Sequence, residues 1–244
     1  MPAEERQQRA GRVAGLDGCP AGWFVATADA GLTDVECFVA GTIAQACEQL
    51  DDCGAIGIDM PIGLPDAGSR ACDVLARRLL APRRGVSVFP APIRPVLESH
   101  GYRDACAIRE SIDGKRMSRQ AYNLINKIKE LDSFLQKFPG FAERLYEVHP
   151  ELSFAALNGG KPVTVPKRRP EGLVQRYELL GRFFAQDDLD AALTSWPRSK
   201  VARDDVLDAF AVLETARRIA AGDAGRVPEL TEYDGFGLEM AIWY

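Results

Sequence analysis

The 244-residue chain is 46% hydrophobic and 27% charged, the balance of an ordinary soluble globular protein with room for a substantial core. Its net charge of −5 argues against coating nucleic acid through bulk positive charge, so any nucleic-acid partner has to be held by a local patch. Six scattered cysteines (Cys19, Cys37, Cys47, Cys53, Cys72, Cys106) form no C-x-x-C pair, and with only His100 and His149 beside them they support neither a disulfide framework nor structural zinc.

No run approaches membrane-span length, and the N-terminal stretch MPAEERQQRAGR lacks the apolar segment of a secretory signal, so a cytoplasmic protein is expected. Residues 12–17 (RVAGLD) read as the first strand. After the turn residues 18–22, WFVATAD and LTDVECFVA, parted by Ala30 and Gly31, complete two hairpins. Thr42 is placed to cap a helix to about Leu50, and residues 55–59 return to strand. The helix-length crossover lets that strand lie parallel to the first.

The middle reads as helical, with one helix over 66–80 and a longer one capped by Ser118, where Ile125, Ile128, Leu131, Leu135 and Phe138 recur at three- and four-residue steps. RLYEVH (144–149) is expected to be a strand, and Pro150 to open a short helix that stops at Asn158 and two glycines. Helices follow Pro170 and run from about Asp204 to Ala221, and the tail GLEMAIWY alternates weakly, as a strand would. A single α/β domain over 1–244 is expected, with a helical insertion at about 66–140 between the fourth and fifth strands.

The run GAIGIDMPIGLP (54–65) holds the first chemical clue. An aspartate in a buried-looking strand is costly unless it neutralises, pairs or binds a metal. Asp17 and Asp59 hold equivalent places, each ending an apolar strand just before turn residues, and in a parallel pair such ends lie side by side where open α/β sheets bind ligands. On the last helix Asp205 projects within the apolar arc, and Asp208 at its edge. Glu147 shares a strand face with Leu145 and His149. Carboxylates gathered this way repel and raise one another's pKa unless a cation compensates, and Mg²⁺ or Mn²⁺ is the fitting hard ion.

Each residue also has a structural reading. Asp17 suits a turn before Gly18, Asp59 a backbone-bonded strand end, and Asp204 and Asp205 a helix cap and first turn. Glu147 suits a salt bridge, Glu151 the helix dipole, and His149 either acid–base work or a satisfied position before a helix. Only their conjunction points to catalysis.

The ordered blocks GLDGCPAGW (15–23), IGIDMPIGLP (56–65), RACDVLARRLLAPRRGVSVFPAP (70–92), SRQAYNLINKIKELD (118–132), YEVHPELSF (146–154), KRRPEGLVQR (167–176) and ARDDVLDAF (202–210) resemble the family catalogued as domain of unknown function 429. That family is described as predicted nucleases of the ribonuclease H-like fold. The resemblance implies a mixed five-stranded sheet, three antiparallel strands followed by two parallel ones, with the active site at the carboxyl ends of the central strands. It also implies Asp17, Asp59, Asp205 and Asp208 as metal-binding catalytic acids, with Glu147 a less certain member. The chemistry implied is phosphodiester hydrolysis of a nucleic acid by two Mg²⁺ or Mn²⁺ ions, with water as the nucleophile and Asp17 as the bridging ligand.

Two segments are basic, 70–94 and 161–176, and within them Arg77, Arg84, Lys167 and Arg168 are candidates for phosphate contacts, with Lys127 a further candidate beside the metal centre. For any one of them a solvated ion pair is the alternative. An actin-like kinase is a rival reading, but Asp17 is followed by Gly-Cys-Pro-Ala-Gly with no hydroxyl to meet phosphate, and two duplicated domains would not fit this length. A catalytically silent nucleic-acid or protein-binding module on the same fold is the other.

Overall fold

The computed structural model describes residues 11–244. Residues 1–10, which carry most of the stretch read above for the absence of a secretory signal, lie outside the described residues. Three strands come first, β1 (Arg12–Cys19), β2 (Gly22–Asp29) and β3 (Glu36–Ala40), followed by helix α1 (Ile43–Glu48) and β4 (Cys53–Ile58). The expected helical stretch then holds α2 (Ala71–Leu79), α3 (Tyr102–Asp113), α4 (Arg119–Asn123), α5 (Ile125–Lys137) and the short α6 (Pro139–Ala142). β5 (Leu145–Glu147) is followed by α7 (Pro150–Leu157), α8 (Pro170–Leu180), α9 (Gln186–Thr194) and α10 (Arg203–Ala221), and β6 (Arg226–Val227) and β7 (Ile242–Trp243) close the chain.

The central sheet has the order β3-β2-β1-β4-β5. β1, β2 and β3 pair antiparallel, and β4 and then β5 add in parallel, so the sheet is mixed as expected. Thr42 does cap α1, its side chain accepting from the Gln45 N–H at 3.2 Å.

Strand alternation sorts the two cores. Ala14 and Leu16 of β1, with Ile56 and Ile58 of β4 and Trp23 and Val25 of β2, pack on the side of α1 and α5. Val13, Ala55, Phe24 and Ala26 face the other way, against the apolar residues of α8, α9 and α10. The sheet is therefore covered by helices on both faces, which explains why β1 and β4 read as nearly continuous apolar runs.

Three details differ from the sequence reading. The helix expected from residue 66 begins only at Ala71, because Arg70 stays extended (φ −68°, ψ 143°) with its guanidinium held by Asp73 and Glu147. The helix capped by Ser118 divides into α4 and α5 at Leu124. α3 and α9 were not foreseen, since they bury only narrow faces, Ala105, Cys106 and Arg109 in one and Leu189 and Ala192 in the other. The tail read as a strand forms β7, which pairs with β6, and Trp243 adds an isolated parallel bridge to Val148. The six cysteines are free, and no described helix is long and apolar enough to cross a membrane.

Candidate functional site

Gly15-Leu16-Asp17 in β1 and Gly57-Ile58-Asp59 at the end of β4 are the same three-residue pattern in adjacent parallel strands. Gly15 and Gly57 are register partners, and the Asp59 N–H donates to the Leu16 carbonyl at 2.9 Å. Alternation then turns both aspartates toward the face covered by α10. The glycines set how closely that helix approaches. A Cβ on Gly15 would lie 2.2 Å from the Ala209 carbonyl oxygen and 2.3 Å from the Leu213 nitrogen, and one on Gly57 2.6 Å from Val212 Cγ1. With α10 seated directly on the glycine pair, Asp208 comes down over Asp17 and Asp59. One carboxylate oxygen from each of the three lies within 4.8 Å of the others.

Asp17 and Asp208 are buried and Asp59 is half-buried. Neither the Asp17 nor the Asp59 carboxylate has a hydrogen-bond or ion-pair partner among the described residues, whereas Asp208 Oδ2 contacts the Lys167 ammonium. Burial pushes the Asp17 carboxyl well above the usual carboxylate range, and the charges of Asp59 and Asp208 add to it. Asp59 is pushed up to about 7, by burial and then by Asp208. Burial also raises Asp208, with Lys167 opposing. Burial disfavours charge on Lys167, yet contact with Asp208 and the nearby Asp17 push its pKa up, so it is an ammonium in this cluster.

Three hard oxygen donors, two of them unpartnered, are ligands that a divalent ion of the Mg²⁺ or Mn²⁺ type could take. The cluster opens into a cleft of about 370 Å³ lined also by Met60, Phe89, Gln120, Leu124, His149 and Arg168. The model for "Protein of unknown function (DUF429)" matches residues 15–232. The chain belongs to the DUF429 family. No curated protein and no solved structure matches it.

In this DUF429 chain the remaining expected site residues divide by what they touch. Asp205, expected deeper than Asp208, is half-buried and turned to its own helix end, where Oδ2 accepts from the Ala202 N–H at 3.0 Å. Burial still raises it to about 6. Glu147 borders the cleft but is spent elsewhere, since its oxygens take both Nη groups of Arg70 and Oε2 also accepts from the Ile62 N–H at 2.7 Å. The structure does not bring Glu147 into the carboxylate cluster.

Among the basic candidates, Lys167 reaches the cluster and exposed Arg168 stands at the cleft. Arg84 lines the cleft with its Nη2 bound to Glu151 Oε1 at 2.6 Å. Arg77 is exposed on α2 and is not among the residues lining the cleft. Lys127 donates to the Gly22 carbonyl and lies 4.4 Å from the Trp23 ring centroid, contacts at the start of β2, while the charges of Asp17 and Asp205 also act on it. His149 caps α7, its Nδ1 accepting from the Glu151 N–H at 3.2 Å while Nε2 faces the Ser87 carbonyl at 3.4 Å. An accepting Nδ1 makes the ring neutral with its proton on Nε2, and burial lowers its pKa accordingly.

The direct Lys167–Asp208 contact is the relation that the sequence reading missed. No periodic pattern leads to it, because Lys167 stands in the irregular segment between α7 and α8. The repeated G-x-D is a signal that was present in the chain and carries the pairing of Asp17 with Asp59.

Proposed function

We propose that this protein is a metal-dependent phosphodiester hydrolase acting on nucleic acid, with a ribonuclease H-like fold and its catalytic centre at Asp17, Asp59 and Asp208. The observation that carries the reading is that three carboxylates from β1, the end of β4 and α10 converge at the carboxyl ends of the central strands, two of them without a partner. The strand order, three antiparallel strands followed by two parallel ones, supports the fold assignment. Hydrolysis forms a phosphorus–oxygen bond to water, breaks the bond to the leaving sugar oxygen and returns a proton to that oxygen. A bound divalent ion supplies an acidified water and draws charge from the phosphate. The chain's own part is to hold the carboxylates fixed through the glycine-seated α10 and to present Arg168 and Lys167 to phosphate oxygens.

The test is a cleavage panel of single- and double-stranded DNA, RNA, hybrids and branched junctions, with Mn²⁺, Mg²⁺ or chelator. Metal-dependent cleavage that disappears in Asp17→Asn is expected. Inactivity on every substrate in Mn²⁺ overturns the reading.

A further inference from the structure

Lys167 does not reach the carboxylates by accident of a free side chain. Its segment is anchored on both sides: Val163 is buried, and the fully buried Arg176 donates through Nη1 to the Val165 carbonyl at 3.0 Å and to the Gly172 carbonyl at 2.9 Å. The second Nη of Arg176 is held by both oxygens of Glu151, at 2.8 and 2.9 Å. Gly172 closes the arrangement from the far side, since a Cβ there would stand 2.1 Å from the Pro166 carbonyl oxygen. The residue before Lys167 is thus packed against the first turn of α8. From this fixed base the Lys167 ammonium contacts Asp208 Oδ2 and lies 3.7 Å from Asp204 Oδ2.

Asp17, only 7% exposed, feels the Lys167 charge without bonding to it, and among the described residues turns an unpartnered carboxylate into the cleft. Asp208 is thus already met by a cation in direct contact, and Asp17 and Asp59 are not. The charges of the cluster itself agree, because Asp17, Asp59 and Asp208 against one ammonium leave a deficit that a single divalent ion cancels, with the more exposed Asp204 outside the cluster. The spacing is close to what one ion needs, since the oxygens lie within 4.8 Å of one another and the ligand shell of one Mg²⁺ is about 4 Å across. A pair of ions, by comparison, stands about 3.5–4 Å apart and needs ligands on both. With Oδ2 taken by Lys167, Asp208 has only Oδ1 left to give.

We infer that Lys167 is the second cation of this centre, so that Asp17, Asp59 and Asp208 take one divalent ion and the lysine ammonium stands in the place of another. The inference rests on the metal-binding reading proposed above, but the two fail separately.

The test uses Mn²⁺ alone, counted per full-length chain by equilibrium dialysis, with low-temperature EPR to separate a lone ion from a spin-coupled pair. Wild type is expected to hold one uncoupled Mn²⁺ that is lost in Asp17→Asn, and Lys167→Met to hold two with a coupled signal. Lys167→Gln serves the same purpose if the methionine variant does not fold. A coupled pair in wild type overturns the role of Lys167 and leaves the metal reading standing. A single ion in both lysine variants does the same. Absence of bound Mn²⁺ in wild type overturns both.

Discussion

Glu147 and Arg70 meet in a two-point contact, Nη1 to Oε2 at 2.6 Å and Nη2 to Oε1 at 2.7 Å, with both side chains almost wholly removed from water. Arg70 Nη1 also donates to the Ile62 carbonyl at 2.9 Å, so the pair ties β5 to the turn that follows β4. Removing one partner leaves an uncompensated charge where solvent cannot reach it. Arg70→Met is expected to cost about 3–5 kcal/mol of folding stability, read from the urea midpoint. Glu147→Gln, where it folds, keeps the Mn²⁺ affinity of the wild type, since Glu147 serves Arg70. A large loss of ion binding in folded Glu147→Gln would count against that assignment.

Asp59 and Asp205 set a pH dependence. Burial, with Asp208 and Asp204 as the next raising neighbours, holds them at about 7 and about 6, whereas an unfolded aspartate ionises near pH 4. Between those values the folded protein retains protons that the unfolded chain has released, so stability falls as pH rises through the window. Each carboxyl contributes at most about 1.4 kcal/mol per pH unit there. Denaturant titrations of the metal-free protein between pH 4 and 8 are expected to show this contribution, and Asp59→Asn to flatten the decline.

Gly15→Ala tests how the helix over the sheet positions the centre. The new methyl would overlap the Ala209 carbonyl and the Leu213 nitrogen, both backbone atoms that cannot swing aside. Overpacking of this kind costs about 1–3 kcal/mol or more. The expected outcome is a lower melting temperature together with weaker Mn²⁺ binding, because α10 can relieve the overlap only by carrying Asp208 away from Asp17.

His149→Asn separates capping from catalysis. Asparagine is among the best N-cap residues, so the variant is expected to stay within about 1 kcal/mol of wild type at pH 8 and to retain cleavage where wild type shows it. The lowered imidazole pKa means that the unfolded state takes up its proton first on acidification, which costs stability below about pH 6.5. That slope is opposite in sign to the one from Asp59. Its removal in His149→Asn makes the net fall in stability between pH 5 and 7 steeper.

Much of the sheet was readable because strands covered on both faces keep apolar runs bounded by turn residues, as in 12–19 and 53–58. α10 was readable from its long apolar arc, yet the relative depth of Asp205 and Asp208 came out reversed. A helical projection treats the helix in isolation, whereas depth here depends on Gly15 and Gly57 letting the middle of α10, at Ala209 to Leu213, settle onto the sheet. The clustering of Asp17 and Asp59 followed from parallel pairing of their strands. The fates of Glu147 and Lys167 did not, because their partners Arg70 and Asp208 lie 77 and 41 residues away in the chain and no local pattern encodes such contacts.

The bridge between Val148 and Trp243 gives the last residues a protective duty. β5 is the outermost strand on its side of the sheet and is only three residues long, and the bridge covers the backbone just beyond it. Exposed strand edges recruit strands from other molecules. A chain cut before Ala241 would uncover this edge and remove Ile242 from the wall of the cleft, and would then be open to edge-to-edge self-association even with its carboxylates intact.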